Sequence, residues 1–430
     1  MSMTDLPSPQ LSVLHRAYRA MLDAANPRRL VAAHLPPPPT GRTVVVGVGK
    51  AAAAMAQAVE DCWPAELSGV VVIPAGASLP LARIRVVESS HPVPDERSLD
   101  GARALLDAVR GLGESDLVIA LISGGGSALC ALPAPGISLE EKQRLTRSLL
   151  GCGASIHELN LVRQQLSAIK GGRLAAAAWP ARVATLVISD IPGDDAALVA
   201  SGPTLGSTGT PERAREILRR HGIDPGPSIA RLLSSAEAFD LVRPNDPRLR
   251  RNTCAVVASA WDGLQAAAES ARARGLPCHV LGDALEGEAR DLAVAHAGIV
   301  DAIVRHGQPF AAPCMLLSGG EATVTLHGQG RGGRNTEFAL AFALAVERSG
   351  SARHVHLLSA GTDGLDGRAG AAGAWLAPDT LSRARAIGAA PREFLERNDS
   401  ASLFELTESL VHTGPTHTNI NDFRAILIEP

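Results

Sequence analysis

Lysine is scarce in this chain. Lys50, Lys142 and Lys170 are its three lysines in 430 residues, against 38 arginines. Aromatic residues make up 3% of the chain, too few for a base-stacking platform. The net charge of −3 supplies no global basic field, so a nucleic-acid partner is not expected. The six cysteines, at 62, 130, 152, 254, 278 and 314, include no C-x-x-C pair. They read as small buried hydrophobes in a reducing cytoplasm rather than as a disulfide or zinc framework. No long apolar run survives inspection. Leu117–Leu139 is uncharged but is broken by Ser123-Gly-Gly-Gly126, Pro133 and Pro135, so it cannot form a continuous membrane helix. Met1–Leu30 carries acids and arginines without a signal-peptide core. A cytoplasmic protein with no membrane partner is the expectation. Three catalytic signatures are also missing. Lys50 is followed by Ala51, so there is no Walker A loop; the protein-kinase set is absent; and Gly125-Gly-Ser-Ala-Leu129 lacks the G-x-S-x-G elbow of a serine hydrolase.

Hydrophobic residues make up 46% and charged residues 20%, a balance that gives a large packed core and argues against disorder. The length suggests two or three domains. Short β-branched runs alternate with Ala-, Leu- and Arg-rich helical stretches. Strands are expected at Thr43–Val46, Gly69–Ile73, Ile84–Glu88, Leu117–Ile122 and Ala184–Ser189. A second set is expected at Thr253–Ala258, Cys278–Leu281, Cys314–Leu317, Ala322–Leu326 and His354–Leu358. Helices are expected at Gln10–Leu30, Ala51–Asp61, Ser98–Arg110, Leu139–Gly151, Ile156–Lys170, Pro211–His221, Trp261–Arg274, Glu286–His306 and Thr336–Glu347. Uninterrupted apolar strands between helices imply parallel strands buried on both faces. The fold class is therefore α/β in two domains, each a mostly parallel sheet flanked by helices, the N-terminal one Rossmann-like. Clustered Pro, Asn and charge across Asp224–Asn252 mark a linker, which divides the chain into 1–245 and 246–430.

Five segments could carry chemistry. In Val44-Val-Val-Gly-Val-Gly-Lys-Ala-Ala-Ala53, a strand enters a glycine turn at Gly47 and Gly49 and a helix leaves it. Such a turn suits an anion, and Lys50 at the positive end of the helix dipole is unfavourable unless an anion sits there. Gly47-x-Gly49-x-x-Ala52 also fits a loose dinucleotide fingerprint, but the next strand ends in Pro74-Ala-Gly-Ala77 without the acid that would hold a ribose. Ser123-Gly124-Gly125-Gly126-Ser127 offers bare backbone N–H groups and two hydroxyls, a possible phosphate or carboxylate nest. Asp190, with Asp194 and Asp195 beyond a Pro-Gly turn, suits Mg²⁺ or a self-capped turn; of these, Asp190 is the favoured ligand. Arg334 stands beside Asn335 at a Gly-rich strand-to-helix turn, with Glu321 in Leu317-Ser-Gly-Gly-Glu-Ala322, and its planar fork suits phosphate or carboxylate. In Ser359-Ala-Gly-Thr-Asp-Gly-Leu-Asp-Gly367, Asp363 could hold a metal or a hydroxyl, or simply make an Asp-Gly turn.

These segments together resemble the class II glycerate 2-kinases, the family with a MOFRL-type C-terminal domain. The matching stretches are Val46–Lys50, Ser90–Asp95, Ser123–Ala128, Asn160–Ser167 with Lys170–Arg173, Ser189–Asp194, Ser318–Glu321, Gly332–Glu337, Gly361–Gly364 and Thr416–Asp422. They run in order along nearly the whole chain. The resemblance implies transfer of the ATP γ-phosphoryl group to the 2-hydroxyl of D-glycerate, with Mg²⁺, in a cleft between two α/β domains. By position it makes Lys50 and Arg334 catalytic. Glu321 and Asp363 stand nearby; read with the turns above, Gly47, Gly49, Ser123–Ser127, Gly319, Glu321, Asn335, Thr362 and Asp363 are the expected binding residues, and Asp190, Glu321 and Asp363 the candidate Mg²⁺ ligands. Some relatives carry the label hydroxypyruvate reductase, so NAD(P)H-dependent reduction is the alternative. Assembly state stays open, with a homodimer as the guess.

Overall fold

The computed structural model describes residues 8–235 and 240–430. Fourteen strands are found among them. They are β1 (Thr43–Val48), β2 (Ser68–Pro74), β3 (Ile84–Ser89), β4 (Leu117–Ile122), β5 (Arg182–Ile188), β6 (Thr253–Ala258), β7 (Cys278–Gly282), β8 (Gly287–Glu288), β9 (Cys314–Ser318), β10 (Ala322–Thr323), β11 (Val355–Gly361), β12 (Gly373–Leu376), β13 (Leu410–Val411) and β14 (Asp422–Ile428).

The chain divides into two compact units. One comprises Pro27–Asp190 and Asp194–Val257; the other comprises the described part of Met1–Asn26, Ile191–Gly193 and Ala258–Pro430. This division differs from 1–245 and 246–430 at both ends. The Pro- and Asn-rich stretch is not the last of the first sheet, because β6 follows it and adds to that sheet's edge. At the start of the chain, the expected helix Gln10–Leu30 is two helices, Pro9–Ala24 and Pro27–His34. The break falls at Asn26-Pro27, where proline disfavours a helical residue before it. The first of these helices belongs with the C-terminal unit.

The first unit has the strand order β3-β2-β1-β4-β5-β6, the doubly wound arrangement of a Rossmann-type sheet. β1, β2, β3, β4 and β5 pair in parallel. β1 and β4 are buried at every position, as expected of strands covered by helices on both faces. Local signals set the helices. Ser138 with Glu141, and Ser155 with Glu158, form reciprocal capping boxes that start Leu139–Gly151 and Ile156–Gln165. A satellite core lies between these helices and Pro211–Arg220, built on Leu145, Leu149, Leu159, Val162, Ile217 and Leu218.

The second unit corrects one expectation. Its main sheet, β13-β12-β11-β14-β9-β7, is mixed rather than mostly parallel. β14 runs antiparallel to both β11 and β9, and β12 antiparallel to β11 and β13; β7 pairs with β9 in parallel. Apolar runs report burial on both faces but not direction, and β12, β13 and β14 escaped the sequence reading altogether. Ala322–Leu326, expected as a strand, shrinks to the two-residue β10. The core of this unit gathers Phe338, Phe342, Phe404, Leu316, Leu357 and Ile426. The cysteines also depart from expectation: Cys130, Cys278 and Cys314 are buried, but Cys62, Cys152 and Cys254 are exposed, and all six are free thiols.

Candidate functional site

In the first unit, two strand-end turns lock together. Beyond β1 the Gly49 N–H donates to the Val72 carbonyl at 3.1 Å, and the Lys50 N–H donates to the Gly124 carbonyl at 2.9 Å. Ser123, fully buried, accepts from the Ala51 N–H through its hydroxyl at 3.0 Å. Ser123 thus ties the turns from behind. Two glycines are required here. Gly49 has φ +129° and a side chain on it would strike the Ser123 backbone; Gly125 has φ +81° and lies against His91 and the Lys50 stem. Gly47 is buried within β1, in register with Val71 and Leu121. The sequence therefore places Lys50 beside the bare Gly124-Gly125-Gly126 backbone. The Ser127 hydroxyl turns instead to Ser201 Oγ at 2.7 Å, and Ser201 donates onward to Asn160 Oδ1 at 2.8 Å. Asp190 stands beyond β5, and Asp195 caps the following turn by accepting from the Ala197 N–H at 2.9 Å.

In the second unit, the centre is an acid that the sequence reading did not single out. Asp422 opens β14 and is completely buried. Its Oδ1 accepts from Arg334 Nε at 2.7 Å and Asn335 Nδ2 at 2.9 Å. Its Oδ2 accepts from Arg424 Nη2 at 2.9 Å. Arg334 is braced a second time, by Glu321 at 2.5 Å. Burial opposes the charge on Arg334, but Asp422 and Glu321 outweigh it and raise the pKa above the ordinary arginine value. Arg424, also buried, lies over the Phe338 ring at 5.1 Å and donates to the Gly319 carbonyl at 3.2 Å. Gly319, Glu321, Arg334 and Asn335 are thereby drawn around one carboxylate.

The helix Arg334–Ser349 that carries Arg334 and Asn335 is capped from outside its own sequence. Buried Asp366 accepts from the Asn335 N–H at 2.8 Å, the Thr336 N–H at 2.9 Å and the Thr336 hydroxyl at 2.8 Å. Burial raises the Asp366 carboxyl to about 6, the N–H donors pulling against it. Thr362 donates its hydroxyl to the Asn421 carbonyl at 2.6 Å and accepts from the Ile420 N–H. Asp363 Oδ1 accepts from the Leu365 N–H at 3.0 Å, as in the turn reading. Tyr18, from the N-terminal helix, donates to the Gly361 carbonyl at 2.7 Å. Burial, then Asp363 and Asp422, push its hydroxyl well above the usual tyrosine range. Asp422 and Arg424 were missed because β14, the strand they open, was not anticipated, and Tyr18 because a tyrosine on the apolar face of a helix reads as core. The available signal was the polar Thr416–Asp422 segment ahead of a final apolar run.

Among the described residues, no group of three His, Cys, Asp or Glu side chains gathers as a metal centre. Mg²⁺ commonly takes one or two carboxylates together with substrate phosphates. Asp190, Glu321 and Asp363 each offer carboxylate oxygens suited to that mode, though Glu321 already holds Arg334. Among the described residues no helix is long and apolar enough to cross a membrane.

Comparison with known proteins identifies the family. Residues 13–234 match the family described as "Domain of unknown function (DUF4147)", and residues 314–422 match the MOFRL family. A D-glycerate 2-kinase of Thermotoga maritima is 38% identical over 93% of this chain and 94% of its own length. A protein of Agrobacterium vitis with the provisional name hydroxypyruvate reductase is 48% identical over 97% of this chain and 94% of its own. The crystal structure of a Thermotoga maritima glycerate kinase superposes with a TM-score of 0.84 at 37% identity, covering 97% of this chain and 98% of that one. With two family matches and full-length relatives at these identities, the chain belongs to the MOFRL-type glycerate kinase family.

Proposed function

We propose that the protein transfers the γ-phosphoryl group of ATP to the 2-hydroxyl of D-glycerate, giving 2-phosphoglycerate and ADP. The observation that carries this reading is Arg334. Its guanidinium is held charged and oriented by Asp422 and Glu321 at the start of a helix, a geometry suited to a phosphoryl or carboxylate group. Lys50 supplies a second cation, beside the bare Gly124–Gly126 backbone. Phosphoryl transfer needs positioning and neutralisation of charge more than covalent chemistry. Lys50 and the Gly49 and Gly124–Ser127 backbone would bind one anionic group, and Arg334, Asn335, Gly319, Thr362 and Asp363 another. Mg²⁺, when bound with the nucleotide, would neutralise its phosphates, held by one or two of Asp190, Glu321 and Asp363.

Reduction of hydroxypyruvate by NAD(P)H is the rival, because the relatives quoted above carry two different names. That chemistry would use the Gly47-x-Gly49-x-x-Ala52 turn. It has no task for Arg334, and β2 ends at Pro74 without a ribose-binding acid.

One experiment decides. Purified protein is mixed with D-glycerate, ATP and Mg²⁺ and ADP release is followed; hydroxypyruvate and NAD(P)H are tried in parallel. ADP release dependent on glycerate is expected, with 2-phosphoglycerate identified in the product. Nicotinamide oxidation without ADP release would overturn the assignment.

A further inference from the structure

Two of the three lysines are not on the surface. Lys170 is 1% exposed and Lys142 is 5% exposed. Lys142 projects from Leu139–Gly151, and Lys170 follows the helix Ile156–Gln165. Each ammonium meets a single acceptor at the outer limit of hydrogen bonding: Lys142 Nζ reaches the Leu132 carbonyl at 3.4 Å, and Lys170 Nζ the Ala200 carbonyl at 3.5 Å. An ammonium carries three donors. Ser167 joins the two, because its hydroxyl donates to the same Leu132 carbonyl and accepts from the Lys170 N–H. Arg163, largely buried and always charged, lies within electrostatic reach of both lysines. Among the described residues none of these three cations pairs with a carboxylate. The other titratable neighbours are Cys130, a buried thiol, and Arg173, which donates to the Gln164 and Lys170 carbonyls and lies within electrostatic reach of Asp240.

Burying like charges without a counter-charge is costly. The surroundings are polar and strained. Ala200 and Ser201 both take left-handed φ angles, +53° and +62°, which non-glycine residues adopt at a cost and mainly at functional sites. That conformation aims the Ala200 carbonyl at Lys170 and sets Ser201 between Ser127 and Asn160. Asn160 lies one helical turn before Arg163, on the same face. On its other side Ala200 packs against Gly126, so the cluster stands behind the Ser123–Ser127 turn, whose Gly124 carbonyl accepts from the Lys50 N–H.

We propose that Lys142, Arg163 and Lys170 form a binding site for a small oxyanion, a carboxylate or phosphate group, distinct from the anion position at Lys50. The inference does not rest on phosphoryl transfer, because binding is read without nucleotide or turnover. Calorimetric titration of the full chain carrying both Lys50→Ala and Arg334→Gln, which removes the cations assigned to the two anion positions above, is performed with inorganic phosphate and, separately, with D-glycerate, in chloride-matched buffer at pH 7. At least one of them is expected to bind, and the tighter of the two identifies a phosphate or a carboxylate as the occupant. Adding Arg163→Gln or Lys142→Met to this double variant is expected to weaken that binding at least tenfold. Circular dichroism confirms that each variant is folded, and Arg163→Gln, less deeply buried, serves if Lys142→Met is not. Binding of neither anion to the folded double variant would overturn the proposal, as would equal binding by the folded chain that also carries Arg163→Gln.

Discussion

Asp422 shows how much one side chain can organise. It receives two arginines and an asparagine while fully buried. Asp422→Ala leaves Arg334 and Arg424 without their shared counter-charge and is expected to cost about 3–5 kcal/mol, the range for breaking a buried pair, measured by chemical denaturation. Charge in this region was readable in the sequence: Arg334 and Glu321 stood out by their glycine context. Asp422, which Arg334 shares with Arg424, did not, because it lies 88 residues beyond Arg334. His296 offers a pH test. Its ring bonds the Leu292 carbonyl and the Ser318 hydroxyl, and burial lowers its pKa to about 4. Unfolded, the same ring takes up its proton near 6.5, so stability is lost as pH falls from about 6.5 to about 4. In His296→Gln that acid-side slope is expected to shrink by up to about 3 kcal/mol across the window; an unchanged slope would exclude His296 as the cause.

Elements were legible where their signals were local. Strands β1 and β4 followed from continuous apolar runs, and the capping boxes of Leu139–Gly151 and Ile156–Gln165 are sequence features. The start of Arg334–Ser349 is different, since its cap is Asp366, on another loop. Asp366→Ala should therefore destabilise by about 2 kcal/mol, at the upper end for a lost cap, with the loss read by thermal denaturation. The loop linking Ile156–Gln165 to Lys170 makes a second claim. Burial lowers Lys170 to about 8, while the unfolded ammonium titrates near 10.5. The unfolded chain then binds the extra proton between these values, so in anion-free buffer stability rises from about pH 8 to about pH 10.5. That rise should be smaller in Lys170→Met than in the parent chain. Equal slopes in the two proteins would remove Lys170 as the titrating group.

For the whole molecule, the decisive test concerns Lys50 and Arg334, which belong to different units. Each single variant, Lys50→Ala or Arg334→Gln, is expected to lower kcat for glycerate phosphorylation at least 100-fold. If both serve one reaction, the double variant should lose much less than the product of the single losses; a fully multiplicative loss would separate their roles. The sequence by itself determined the α/β class, the Rossmann-like first sheet, the family and the two cationic glycine turns. Each depends on neighbours along the chain: an apolar run, a capping pair, a glycine beside a lysine. The tertiary structure alone decided the mixed direction of the second sheet, the joining of Arg334 to Asp422 and the burial of Lys142 and Lys170. Strand direction, ion-pair partners and solvent exposure are fixed by segments remote in sequence, and burial on both faces leaves the same apolar pattern in a strand whichever way its neighbour runs.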